Sequence, residues 1–180
     1  MSEDGRIVLA QEDRDRAFRV RDSIMAHPAA RWIIQTKSAV EVSALWDCPE
    51  TGVRCKLRAD ILGNGMAGDI KTTTDASPDS FMRTIASWSY HFQATHYING
   101  LTALDLPIEH FCFIAVEKEE PFAVAVYRLR DDVLELVRPK LRGMLYKWKR
   151  CEEEGRWPAY SDEIQDIGIE RWAAAKLEQI

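Results

Sequence analysis

At 180 residues, with 46% hydrophobic and 29% charged side chains, the chain has the make-up of an ordinary globular protein and the length to bury one substantial core, so it reads as a single domain over 1–180. A net charge of −5 excludes a protein that coats nucleic acid by charge alone, and any phosphate contact must be local. No run of about 18 apolar residues occurs, the start MSEDGRIVLAQEDRDR lacks the layout of a signal peptide, and Cys48, Cys55, Cys112 and Cys151 have neither C-x-x-C nor cluster-binding spacing. These features exclude a membrane helix, argue against a zinc site and an iron–sulfur cluster, and predict free thiols in a reducing, cytoplasmic compartment.

In chain order, residues 2–8 are polar and turn-like. Residues 10–26 then place Ala17, Val20, Ile24 and Met25 at helical spacing, which predicts an amphipathic helix. His27-Pro28 ends it, because proline disfavours helical geometry in the residue before it, and residues 29–35 add a further short turn or two. His27 is read as a helix-end residue rather than a ligand. Residues 39–46, AVEVSALW, alternate as a strand, and Asp47-Cys48-Pro49-Glu50-Thr51-Gly52 has turn composition, so a first hairpin feeds the next strand.

That strand, residues 53–62, is joined by Gly63-Asn64-Gly65, which tolerate positive φ, to a further strand over residues 68–73. Three antiparallel strands therefore lead the chain. Successive strand side chains point to opposite faces, so Asp69 and Lys71 share a face, roughly 7 Å apart at ~3.3 Å per residue, while Ile70 is expected to turn into the core. Asp60 on the paired strand can approach them, giving D-x8-D-x-K. Two carboxylates and an amine suit a hard divalent cation, with Lys71 neutralising charge on a phosphoryl group or orienting the attacking water. On spacing alone the three are equally the charges of a solvated hairpin edge. Glu41 could lie over the same end of the sheet as Asp60, as a metal-site residue or as an ion-pair partner.

Ser77, Pro78 and Asp79 mark a helix start, with Ser77 as N-cap, and one helix is predicted from residue 78 to about 101, rich in aromatics. Gln93 and Tyr97, four apart, share a face of it. Residues 111–117 and 122–129 are apolar runs of strand length, separated by Lys118-Glu119-Glu120-Pro121, hence another hairpin. Residues 131–154 form a second long helix carrying Arg138, Lys140, Arg142, Lys147, Lys149 and Arg150, which by default is a solvated face. A short helix around 170–178 ends the chain.

Taken together, the Asp60 strand, the Asp69-Ile70-Lys71-Thr72-Thr73 strand, Tyr90-His91-Phe92-Gln93 with Tyr97, and Trp157-Pro158 resemble the PD-(D/E)XK nuclease superfamily, and more closely its RecE (exonuclease VIII) branch of phage-type recombination exonucleases. The resemblance spans about residues 5–175. It implies an α/β (α+β) fold, a central mixed sheet with three leading antiparallel strands flanked by helices in a restriction-endonuclease-like core. It implies a metal-dependent exodeoxyribonuclease that digests double-stranded DNA from an end, cutting the 5′-ended strand. Asp60, Asp69 and the Ile70 carbonyl would hold Mg²⁺, with Mn²⁺ as a substitute, Lys71 would act on the water or the scissile phosphate, and Gln93 and Tyr97 would orient the catalytic residues or the DNA. Partners implied are a single-strand annealing protein and further copies of the chain in a ring.

In that family a helix before the first strand supplies a histidine to the metal site. The chain is expected to begin after that helix, and within residues 1–35 the only histidine is His27. Two other classes therefore stay in view, a catalytically weakened DNA-binding or assembly module and a site-specific endonuclease that reads base edges.

Overall fold

The computed structural model describes residues 10–63 and 65–177. The turn-like start at 2–8, Asn64 of the hairpin turn and residue 178 of the terminal helix lie outside the described residues. The chain groups into two compact units, Met1–Lys149 and Arg150–Ile180.

The first unit is built on a five-stranded sheet in the order β1 (Ala39–Asp47), β2 (Arg54–Gly63), β3 (Met66–Thr73), β4 (His110–Glu117) and β5 (Val124–Arg128). Every neighbouring pair is antiparallel except β3 with β4, where Asp69 lies beside Phe113 and Lys71 beside Ala115. The sheet is therefore mixed, and its three leading strands are antiparallel as the sequence predicts. A parallel pair cannot be joined by a tight turn, so the chain between β3 and β4 must cross over one face. It does so as α3 (Pro78–Ser87) and α4 (Tyr90–Ala103).

Strand alternation sorts the side chains between two cores. Beneath α3, α4 and the start of α5 (Asp131–Glu154) lie Leu57, Ala67, Phe111, Phe113 and Ala115 of the sheet, packed with Phe81, Ala94, Ile98, Leu101 and Leu134. On the opposite face α1 (Gln11–Ala26) and α2 (Pro28–Gln35) lay Ile24, Ala30 and Ile33 over Ile61, Cys112, Ile114 and Val116. β4 runs between the two layers with six successive buried residues, as the central strand of a sheet covered on both faces should. Each fully buried large apolar side chain contributes roughly 2–3 kcal/mol.

Several sequence expectations differ from the structure. The long helix over 78–101 is two helices, because Ser89 takes a left-handed backbone (φ 57°) that ends one and starts the next. Ser77 occupies the N-cap position of α3 without capping it through its hydroxyl; instead its N–H donates to the Asp75 carboxylate at 2.8 Å, one of the bonds that hold Asp75 below its ordinary range. β5 starts at Val124 rather than 122, since Phe122 also has positive φ (55°). In α1 the expected stripe holds in part, with Ile24 buried and Val20 packed beside it, Met25 half-buried and Ala17 exposed.

In the second unit, α6 (Arg171–Leu177) follows the end of α5. Among the described residues no helix is long and apolar enough to cross a membrane, and all four cysteines are free.

Gly63 closes the β2–β3 hairpin with φ +155°, and a Cβ there would stand 2.4 Å from the backbone nitrogen of Ser38, whose N–H donates to the Leu62 carbonyl. Neither atom can swing aside. Gly63→Ala should therefore lower stability by about 1–3 kcal/mol, read as a drop in the denaturant midpoint, whereas Gly65→Ala, which meets nothing within 4 Å, should cost less.

Candidate active site

The site grows from one irregularity in β2. Cys55, Leu57 and Ala59 face the α4 side, but Ile61 belongs to the core under α1 and α2, so the alternation breaks at Asp60. Directly across, between the pairs Val40–Ile61 and Val42–Ala59, Glu41 on β1 has a positive φ of 52°. Past this break Asp60 shares the α4 face with Asp69. The β2–β3 ladder ends at Ile61–Gly68, and the next contact is made by a side chain, the Ile70 N–H donating to Asp60 Oδ2 at 3.0 Å. An exposed strand end is thereby tied down by the carboxylate itself.

Asp69 is 4% exposed, near the middle of the sheet. Its Oδ2 is ion-paired with Lys71 Nζ and accepts a hydrogen bond from Gln93 Nε2 of α4 at 3.2 Å. Burial pushes its pKa up to about 6; the Lys71 ammonium pulls it down, and the neighbouring Asp60 carboxyl adds to the rise. Lys71 keeps 18% side-chain exposure, and its Nζ lies 4.4 Å from the centroid of the Tyr90 ring. The structure thus brings together Asp60, Asp69, Lys71 and Gln93.

Tyr97, one turn beyond Gln93, stands apart from the carboxylates. Its hydroxyl accepts from the Arg58 N–H at 3.4 Å and its ring packs on Phe111, so it fixes β2 two residues before Asp60. Ile70 does not turn into the core and is 37% exposed. It points to the α1–α2 side, where Ile33 covers Gly68, but beyond the last β2 pair nothing comparable covers it. Glu41 is drawn into an exposed ion pair with Arg58 at 2.5 Å. His27 Nδ1 accepts from Ala30 N at 3.3 Å and so caps α2, in keeping with a helix-end role. Of the basic helix, Arg138 and Arg142 pair with Glu135 and Glu50.

Sequence reasoning assigned Tyr90 no role, although it lies over Lys71. The available signal was its place three residues before Gln93, which puts both on one helical face.

A hard divalent cation fits this donor set. Two carboxylates forced together, one buried and reluctant to ionise, both gain from a positive charge between them, and Mg²⁺ is commonly held by one or two carboxylates with water and substrate phosphate. Among the described residues no cluster of three or more His, Cys, Asp or Glu is formed, so the protein's side-chain share is small.

Residues 4–168 match the model of a family described as a PDDEXK-like domain of unknown function (DUF3799). A protein from Eubacterium rectale that carries a provisional exonuclease designation has a solved structure similar over 97% of this chain and 68% of its own, with a TM-score of 0.64 and 12% identity, a likeness of fold. An alkaline exonuclease from Laribacter hongkongensis is similar over 83% of this chain and 77% of its own, with a TM-score of 0.37 and 18% identity. No curated protein matches the sequence.

The raised pKa of Asp69 has a sign that can be tested. An acid held above its ordinary value binds its proton more tightly when folded, so stability falls as pH rises from about 4 towards about 6 and stays at the lower level above. Asp69→Asn mimics the protonated form. In metal-free buffer it should match the native chain near pH 4 and exceed it at pH 8, by up to about 3 kcal/mol at 1.36 kcal/mol per unit. Thermal melts at the two pH values check this, and a variant less stable at pH 8 would show that the ion pair with Lys71 outweighs the burial.

Proposed function

Since this chain belongs to the family of PDDEXK-like domains, we propose that it is a metal-dependent nuclease hydrolysing DNA phosphodiester bonds, and more narrowly a 5′→3′ exodeoxyribonuclease acting from double-stranded ends in recombination. The observation that carries the reading is the buried Asp69 set between Asp60 and Lys71, a costly arrangement that a solvated hairpin edge would not build.

Asp60, Asp69 and the Ile70 carbonyl would hold Mg²⁺ or Mn²⁺. When bound, the cation supplies Lewis-acid polarisation of the phosphate and acidification of a water. Gln93 holds the Asp69 carboxylate from α4, and the Ile70 N–H holds that of Asp60, so both are oriented before substrate arrives. Lys71, confined by Asp69 and the Tyr90 ring, presents one compact ammonium to the attacking water or the charge building on the scissile phosphate. Tyr97 steadies β2 at Arg58.

In this reading the whole of 1–180 serves one domain, and copies assembled as a ring around DNA work beside a single-strand annealing protein. Topological capture suits a chain of net charge −5, because a threaded substrate needs fewer cationic contacts. One observation favours a second reading, a catalytically weakened DNA-binding module. His27 is spent on capping α2, and among the described residues no third His, Cys, Asp or Glu joins Asp60 and Asp69.

End-labelled linear duplex compared with closed circular DNA separates the possibilities. Loss of linear DNA alone, with nucleotides released from the 5′ end, is expected; cut circles would identify an endonuclease, and intact DNA of both kinds a binding module. Lys71→Ala should lower the rate about a hundredfold, the usual effect of one preorganised contact, and Lys71→Arg should not restore it. Asp60→Ala should abolish Mg²⁺ binding heat in calorimetry while leaving the melting midpoint nearly unchanged, because relief of the repulsion with Asp69 offsets the lost Ile70 N–H bond. With so few side-chain ligands, rates on linear DNA should keep rising into the millimolar Mg²⁺ range, and saturation at low metal would point to a further ligand, Glu41 being the first to replace.

A further inference from the structure

We propose that Tyr90 is a positioning residue of the active site: its ring face keeps the Lys71 ammonium in place once a cation has drawn the Asp69 carboxylate away from it. This rests on the nuclease reading above and adds to that site a residue that lies outside both D-x8-D-x-K and Q-x-x-x-Y.

The ring is fixed independently of the lysine. Tyr90 opens α4 directly after the left-handed Ser89, whose carbonyl accepts from Phe92 N at 2.9 Å and Gln93 N at 3.2 Å. The next residue, His91, donates from Nδ1 to the Ile85 carbonyl of α3 at 3.1 Å, since a carbonyl can only accept. The Tyr90 ring stacks on Phe113 of β4, with centroids 5.8 Å and planes 29° apart, and Phe113 is fully buried. β4 sets Phe113 beside Asp69 and Ala115 beside Lys71, and Ala115 is too short to hold a lysine head. Among the described residues the ammonium therefore meets two partners, Asp69 and this ring, whose centroid is 4.4 Å from Nζ.

The two partners respond differently to a bound cation. A carboxylate that shares its charge with a divalent ion attracts an ammonium less, and the two positive charges repel each other. Lysine carries its charge on a flexible stem and is strongly hydrated, and the Lys71 side chain is open to water at one side, so an ammonium released by Asp69 has a way out of the site. The ring face attracts it through the quadrupole, carries no net charge for the cation to claim, and acts most strongly where water is excluded. One turn of α4 thus serves both halves of the ion pair, Gln93 holding the carboxylate and Tyr90 the ammonium. The attraction comes from the ring face, which phenylalanine shares, and the hydroxyl has no part in it.

The test begins with the native full chain and no DNA. In protein carrying ¹³C at the lysine ε-carbons, the Lys71 ε-methylene protons, identified by their disappearance in Lys71→Arg, should resonate upfield of the other lysines because the side chain ends over the ring, and they should stay upfield when Mg²⁺ is added. Tyr90→Phe should keep the shifted resonance, and Tyr90→Leu, which retains apolar packing on Phe113, should lose it. On linear duplex DNA at saturating Mg²⁺, Tyr90→Leu should lower kcat about tenfold with KM unchanged, as expected when the lost contact serves the reacting group and not substrate binding at large, and Tyr90→Phe should stay close to native. A native-chain resonance that moves to the ordinary lysine position on addition of Mg²⁺ would overturn the proposal, whatever the variants do. Native kcat in Tyr90→Leu would overturn it as well, and so would a Tyr90→Phe variant as slow as Tyr90→Leu, because the hydroxyl would then be the acting group. In each of these cases DNA cleavage by the native chain leaves the nuclease reading intact, whereas a native chain that cuts no DNA would remove both.

Discussion

A carboxylate buried in the middle of a sheet is what the rest of this structure answers to. Left alone, Asp69 would take up a proton and lose its chemistry, because removing its hydration favours the neutral acid. Lys71 opposes that from two residues along the same strand, and the carboxylate and ammonium share one face because strand side chains alternate. Asp60 acts in the other direction, pushing the Asp69 pKa up. The site is therefore balanced and electrostatically unfinished, with opposing charges of which neither fully settles the other. A cation, or a phosphate oxygen with its metal, can supply the difference.

The topology explains how a helix residue reaches that carboxylate. Because β3 and β4 run parallel, the chain between them must pass over the face that Asp69 and Lys71 share. A single straight helix would cross that face in one direction, whereas the left-handed turn at Ser89 breaks the crossover and starts α4 with Tyr90 at Lys71 and Gln93 at Asp69. The same break leaves Trp88 in water. One strained residue thus sets the second layer of the site and the exposed aromatic beside it.

How much of this the sequence disclosed follows from the range of the interactions concerned. Period-two alternation and the Gly63-Asn64-Gly65 turn are local, so β2, β3 and the shared face of Asp69 and Lys71 could be read before any coordinates. The break at Ser89 could not, since Ser87-Trp88-Ser89 contains no glycine or proline, and its conformation is imposed by where α3 and α4 must pack. Ile70 was misjudged because alternation tells which face a side chain takes and not whether a helix covers it. The flip at Asp60 is hidden for a similar reason, because Leu57, Ala59 and Ile61 keep perfect spacing in sequence while changing cores in space. Family resemblance supplied what spacing lacked, the expectation that Gln93 belongs with D-x8-D-x-K; Gln93 does meet Asp69, whereas Tyr97 stands apart at Arg58.

On the nuclease reading proposed above, the charge pattern limits how this chain could hold DNA. Several guanidiniums near the sheet edge already have carboxylates: Arg58 has Glu41, Arg54 has Asp47 and Arg142 has Glu50. Exposed pairs of this kind are weak, within about 1 kcal/mol, so a phosphate could compete for the arginine, but each exchange would return a free carboxylate to the neighbourhood of a polyanion. Binding by many such exchanges is self-defeating in a chain of net charge −5. Affinity must come from elements that add no negative charge when engaged. Lys71 qualifies only once its carboxylate is shared with a cation, which couples substrate binding to metal, and ring stacking qualifies without condition. An acidic chain with this site is thereby driven towards aromatic contacts and a metal-bridged phosphate in place of the broad basic surface that a simple DNA-coating protein would use.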